Sequence, residues 1–168
     1  MSIEIERKFL LKAVPENQPV EIIKIDQFYF KNKEGIWERA RQCDSNIYGK
    51  KWIHTIKKRI SDTTNEEIEK DLTKKEFEKF KKKCYKWRAN SKHIKKERRI
   101  YPDGNLKWEV DLFKDRCHLI IAEIEIPTED WNLNIPEFIE KKLLMEVTGL
   151  KQFSNRSLSI KLTQYQYV

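Results

Sequence analysis

Apolar and charged positions alternate along eight stretches of the chain with the period of two that side chains on a β-strand show. In residues 3–9, Ile3, Ile5 and Phe9 fall on one face with Arg7 among them, and Glu4, Glu6 and Lys8 fall on the other. The same periodicity predicts strands over 21–30, 36–42, 52–60, 65–72, 91–101, 106–113 and 119–126. Breakers separate them: Pro15, Asn17 and Pro19, then turn-forming runs at 32–35, 44–49 and 102–105. A helix over 74–87 is announced by a capping box, Thr73 with Glu76, and by Leu72 and Phe77 at the two staple positions. Phe77, Phe80 and Cys84 give it an apolar stripe for the core. Pro136 suits the first turn of a second helix over 136–145, with Gly149 as its stop. The tail, 155–168, fits either a short strand or a short helix folding back.

The polar faces of these strands are not neutral. Acidic rows recur as Glu4/Glu6, Glu67/Glu69, Glu109/Asp111 and Glu123/Glu125. Basic rows recur as Arg39/Arg41, Lys57/Arg59 and Lys96/Arg98, with Lys8 added. A charged strand face is usually solvated, and exposed pairs contribute little to stability. On that reading the chain is a β-sandwich with a decorated surface. Eight antiparallel strands can instead close into a barrel. The charged rows would then line a bore and the apolar rows would pack outward. Carboxylates two residues apart can share a hard divalent cation such as Mg²⁺ or Mn²⁺, and arginine forks match phosphate oxygens. Both kinds of row in one bore would suit a metal–polyphosphate complex.

Length and composition set outer bounds. The 168 residues fit one domain, 1–168, and with 39% hydrophobic and 37% charged residues the chain can still bury a core. A formal net charge of +8 favours anionic partners without choosing among them. No apolar run approaches the ~20 residues that span a bilayer, and the first residues are not a secretory signal. Cys43, Cys84 and Cys117 form neither a zinc pattern nor a disulfide framework, so a reduced, cytoplasmic protein with inert thiols is expected.

Taken together, the rows resemble the CYTH superfamily, the triphosphate tunnel metalloenzymes. Glu4-Ile5-Glu6-Arg7-Lys8 matches the family's E-x-E-x-K, and Gln27-Phe28-Tyr29 resembles its Q-G-Y. Arg39-Ala40-Arg41 resembles R-x-R, Thr55-Ile56-Lys57 resembles T-x-K, and Glu67-Ile68-Glu69 the E-x-E that follows. Lys96-Glu97-Arg98 resembles K-x-R, Trp108 to Phe113 resembles W-E-x-D-x-F, and Ala122-Glu123-Ile124-Glu125 resembles A-E-x-E. Glu146-Val147-Thr148 with Asn155 and Leu158 resembles the closing E-V-T…N-x-x-L. The resemblance implies a mainly β (α+β) fold, an eight-stranded antiparallel tunnel with a charged lumen and helices outside. It implies hydrolysis of the terminal phosphate of a small triphosphate, inorganic tripolyphosphate first, with Mg²⁺ or Mn²⁺ as cofactor. It places the metal on Glu4, Glu6 and Glu125, with Glu123, Asp111 and Glu69 as second-line ligands. It gives the phosphates to Lys8, Arg39, Arg41, Lys57, Lys96 and Arg98, and lets Tyr29 beside Lys8 orient the attacking water. Two positions depart from the pattern. Phe28 replaces the glycine before that tyrosine, which unsettles the local strand path, and Lys151-Gln152-Phe153 replaces an Arg-Tyr-Tyr type segment.

Adenylate cyclase and thiamine triphosphatase chemistry of the same superfamily remain as alternatives, although no nucleobase pocket is visible in the sequence. A non-enzymatic module binding RNA or polyphosphate is the alternative from another class. Five Trp and six Tyr could stack bases, but Trp37, Trp52, Trp87 and Trp108 fall where core packing is expected, so nucleic acid is a weak partner and a membrane none. A homodimer is left open. His54, His93 and His118 share no motif and read as surface or packing residues. Cys117-His118 is no dyad, because neighbours on a strand point to opposite faces. With only four glycines there is no phosphate-cradling loop, so side chains must grip the anion.

Overall fold

The computed structural model describes residues 1–162. Its first strand, β1 (Ser2–Leu11), is followed by β2 (Glu21–Lys31), β3 (Trp37–Ser45), β4 (Gly49–Arg59) and β5 (Thr64–Leu72). Helix α1 (Lys74–Lys86) leads to β6 (Ser91–Asp103), β7 (Leu106–Phe113) and β8 (Leu119–Glu125). Short elements close the described chain: α2 (Glu137–Glu140), β9 (Leu143–Glu146), α3 (Asn155–Leu158) and β10 (Ile160–Lys161). All pairings are antiparallel, in the order β6-β2-β3-β4-β5-β1-β8-β7, and β7 pairs back to β6. The sheet therefore closes into an eight-stranded barrel, which removes its free edges. β1 bonds β8 along one side; on the other it bonds first β5 and then β9.

Alternation decides what each wall presents. Outward from β1, Arg7 donates to Glu146 at 2.8 Å and lies over the Phe9 ring, which packs 5.5 Å from Trp108. That outer cluster buries Leu11, Tyr101, Val110 and Ile124 under Ile139 of α2. A second outer cluster forms where α1 sets Phe77 and Cys84 against Phe28, Phe30 and Ala40. Both halves of the capping box form: Glu76 N–H donates to Thr73 Oγ1, and Thr73 N–H donates to Glu76. Inward-facing residues are not all charged. Ile25, Cys43 and Ile53 make one dry interior cluster, and Ile94, Phe113 and Ile121 make another beneath Phe153 and Leu158. The charged zone is thus one segment of the bore, and apolar packing fills the rest.

Several expectations change. Only Glu137–Glu140 of the second helix forms; the chain then turns and Leu143–Glu146 pairs with β1, because the open side of that strand offers hydrogen bonds a helix would forgo. Phe28 does not disturb β2, which pairs without interruption with β3 and β6. Its ring faces outward, stacked on His93 at 4.3 Å and edge-on to Phe77 and Tyr85, so its size is accommodated by α1. Trp108 is buried, whereas Trp87 follows the last turn of α1 and is exposed. Cys117 and His118 lie on the turn before β8, both at positive φ, so strand alternation does not apply to them. Cys43 and Cys84 are buried and Cys117 is exposed; burial pushes the Cys84 thiol up to about 12. In the tail, 155–158 is helical and 160–161 extended, while 163–168 lie outside the described residues.

Removing the Phe28 ring leaves a void between β2 and α1. We expect Phe28→Ala to cost about 3–5 kcal/mol of folding stability, read as a shift in the urea midpoint at unchanged slope. A shift worth under about 1 kcal/mol would show that α1 collapses onto the barrel without it.

Candidate active site

The charged rows do point inward. They line a cavity of about 220 Å³ that holds seven carboxylates and seven basic groups. Strand register sets most of the pairs. Lys8 stands across from Glu123 and reaches it at 3.0 Å. Lys57 stands across from Glu67 at 2.8 Å, and Arg98 across from Asp111 with Nε at 2.7 Å. Cross-strand neighbours of opposite charge are the natural unit of sheet stabilisation, and here they are shielded from bulk water.

Neutralisation is uneven, and the imbalance divides the cavity into two poles. At the acidic pole Glu4, Glu6, Glu67 and Glu125 outnumber their cations. Burial, then the neighbouring Glu67 charge, lifts the Glu4 carboxyl to about 7, even though Lys57 pulls the other way. Burial and Glu109 raise Glu125, which faces Glu6 across the β1–β8 register. At the basic pole Arg39, Arg41, Lys96 and Arg98 crowd one another. Burial and Arg39 lower Arg41, and burial and Arg98 lower Lys96 to about 8, whereas against burial Tyr29 and Glu67 hold Arg39 up and Asp111 and Glu109 hold Arg98 well up. Nε of Arg39, Nε of Arg41 and Oε1 of Gln27 are buried without a protein partner. Buried donors in that state call for an anion or water.

Geometry sorts the expected site residues. Glu4, Glu6 and Glu125 stand together at the acidic pole. Of the second-line ligands, Glu123 is held by Lys8 and by Arg98 at 3.3 Å, and Lys8, Lys96 and Arg98 keep it well below the usual carboxylate range despite burial. Glu69 accepts from Arg41 at 2.8 Å and from Thr55 at 3.1 Å. Asp111 does not reach the cavity surface: it is fully buried, accepting from Lys96 at 2.5 Å and twice from Arg98. Its oxygens are spent on the basic pole, which supports a holding role over metal ligation. Tyr29 also stands behind the lining; its hydroxyl accepts from Gln27 at 2.9 Å, and burial raises its pKa, so it stays a neutral phenol. Arg59, in the same row as Lys57, leaves the bore to bind Asp62 and the Gly149 carbonyl.

The structure adds residues that the sequence rows could not single out. Glu67 is the buried member of its pair and stands with Glu4; Glu109 reaches the cavity where Asp111 does not, and both bond Arg98. Asn155, brought in by α3, accepts from Lys96 at 3.2 Å, so the closing N-x-x-L segment ends on the basic pole.

Hard carboxylate oxygens are the donors that Mg²⁺ and Mn²⁺ prefer, and the acid excess at Glu4 and Glu125 is what a divalent cation would relieve. The donor set therefore fits. It is not preassembled, however: among the described residues no three such side chains already stand as a metal cage. Lys57 Nζ is at the centre instead, 3.4 Å from Glu4, 3.3 Å from Glu6 and 2.8 Å from Glu67.

No family model matches the sequence, and no curated protein matches it. Solved structures do. The inorganic triphosphatase NE1496 is 24% identical over 94% of this chain and 98% of its own, with a TM-score of 0.56. A putative adenylyl cyclase from Hippeastrum, HpAC1, described as having a dominant triphosphatase activity, is 14% identical over 74% of this chain and 80% of its own, TM-score 0.55. A conserved hypothetical protein from Pyrococcus furiosus is 20% identical over 82% and 84%, TM-score 0.52. Likeness at this identity is likeness of fold. The chain shares the fold of these proteins, a closed antiparallel barrel, as the resemblance to the triphosphate tunnel proteins implied.

The acidic pole has a pH signature of its own. In metal-free protein the folded state keeps a proton on Glu4 that the unfolded chain, with an ordinary carboxyl near 4.5, has already lost; stability therefore falls as pH rises from there to about 7. Lys96 acts in a separate window, between about 8 and its ordinary 10.5, where the unfolded chain binds more protons and stability rises with pH. Calorimetry in chelator should show the lower-window loss in wild type and a flatter profile in Glu4→Gln. Identical profiles would remove Glu4 as its source.

Proposed function

We propose that the protein hydrolyses the terminal phosphate of a small triphosphate in a divalent-metal-dependent reaction, with inorganic tripolyphosphate as the preferred substrate. One observation carries the reading: a pole with too many carboxylates and a pole rich in basic groups share a single chamber. A cation-loaded triphosphate is complementary to both poles at once, whereas a bare anion or a bare cation suits only one.

Arg39, Arg41, Lys96 and Arg98 would take the phosphate oxygens, and the unpaired Nε–H donors of Arg39 and Arg41 are already desolvated, so the anion meets donors needing no reorganisation. Asp111 fixes Lys96 and Arg98 from behind, keeping the forks at a set height in the bore. Lys8, tied to Glu123, lies between the poles and can stabilise charge that builds on the bridging oxygen. Glu4, Glu6 and Glu125, with Glu67, would hold Mg²⁺ or Mn²⁺, which when bound supplies charge neutralisation and an acidified water. Water attacks the terminal phosphorus, the bridging P–O bond breaks, and pyrophosphate leaves with orthophosphate as the second product. No side-chain nucleophile is needed, since phosphoryl transfer depends on positioning and electrostatics. Little of the chamber is apolar, which disfavours a bound nucleobase and so favours tripolyphosphate over ATP or thiamine triphosphate.

Purified protein should be given tripolyphosphate, ATP and thiamine triphosphate, each with Mg²⁺, Mn²⁺ or chelator, and the products separated by ion exchange. We expect tripolyphosphate to be turned over fastest and chelator to abolish turnover. Cyclic AMP as the main product from ATP would replace hydrolysis with cyclisation. Glu6→Gln should remove activity with the fold intact, and Arg39→Ala should lower kcat/KM by about a hundredfold. Near-normal turnover in Glu6→Gln would refute the placement of the cation.

A further inference from the structure

Lys57 belongs by sequence to a basic row, yet the barrel does not place it with the other bases. Its ammonium is within 3.4 Å of three carboxylates, Glu4, Glu6 and Glu67, the groups that make the acidic pole. Burial opposes its charge, but Glu6 and Glu67 more than offset that and hold its pKa above the ordinary lysine value. A single charge cannot balance three carboxylates. An ammonium in that position and a divalent cation need the same oxygens. The lysine stem is flexible and unbranched, so the head can swing without moving β4.

From this placement we infer that Lys57 is an internal counter-ion that competes with the divalent cation for Glu4, Glu6 and Glu67, and that metal loading frees its ammonium to engage the phosphate chain. The inference rests on the reading of the chamber given above and deepens it. Each ligand then assists the other. A cation releases Lys57 toward the basic pole, and an anion bound there draws Lys57 away from the carboxylates. By linkage the two enhancements are equal in magnitude. The lysine thus makes empty-enzyme metal binding weak and metal–triphosphate binding cooperative.

The test is Mn²⁺ binding to substrate-free protein, followed by electron paramagnetic resonance, in wild type and in Lys57→Met, which keeps the stem and removes the charge. We expect Lys57→Met to bind Mn²⁺ about tenfold more tightly than wild type, to bind tripolyphosphate more weakly, and to lose the mutual enhancement, which is typically ~5–150-fold. Unchanged or weaker Mn²⁺ binding by a folded Lys57→Met overturns the inference. A second measurement needs no variant: reductive methylation of wild-type lysines, quantified by mass spectrometry, should label Lys57 faster once Mn²⁺ is present. Labelling unaffected by Mn²⁺ counts against displacement. If wild type binds no Mn²⁺ and cleaves no triphosphate, the functional reading itself fails. If it does both while Lys57→Met binds Mn²⁺ like wild type, only the role of Lys57 fails.

Discussion

Charge neutrality inside a closed sheet is the constraint on which the rest of this structure depends. Seven acids and seven bases line one small cavity, and at its buried members, Glu67, Lys96, Arg98 and Glu123, an unpaired charge is costly. Pairing by register meets most of that demand: Lys8 with Glu123, Arg98 with Asp111, Lys57 with Glu67. Equal numbers do not give local balance, because each pair must form where the strands bring it. Acids collect near the start of β1 and the end of β8, and arginines collect on β3 and β6. The residual imbalance at the two poles is the chemical capacity of the site.

The outer wall makes that interior affordable. Phe9, Trp108, Val110 and Ile124 on one side, and Phe28, Phe77 and Cys84 on the other, place the apolar burial outside the cylinder. Dry interior clusters around Ile25 and Phe113 then confine the ionic zone to part of the bore. Such zoning holds the poles close together. It also lowers the local dielectric, which would strengthen the grip on a bound polyanion and raises the cost of leaving the poles empty. Lys57, standing among carboxylates, lessens that cost in the unliganded protein.

The short elements after β8 act on the site indirectly. β9 completes the open side of β1, where Arg7 and Glu146 clamp the outer face, and Val147 N–H donates to the Lys8 carbonyl at 2.8 Å. The strand bearing Glu4, Glu6 and Lys8 is therefore held on both sides along its length. From α3, Asn155 reaches Lys96 and contributes to the basic pole. Residues distant in sequence fix the heights of the groups that would have to meet substrate.

Alternation by itself determined which residues share a face, and that sufficed for the eight strands and for grouping the charged rows, but not for whether those rows face inward; the capping box ahead of α1 was legible from Thr73 and Glu76 alone. It could not determine height along the bore. Glu109 and Asp111 have the same parity, as do Lys57 and Arg59, so no periodicity can tell the cavity-lining member from its neighbour. Pairing around the closed sheet decides that. It put Glu67 beside Glu4, sank Asp111 behind Lys96 and Arg98, turned Arg59 out to Asp62, and set Lys57 among acids. Local sequence also overstated the helix begun at Pro136, because the open hydrogen-bonding side of β1 that captures residues 143–146 exists only once the barrel has formed. Side-chain direction is a property of two neighbouring residues, whereas register is a property of the whole ring of strands.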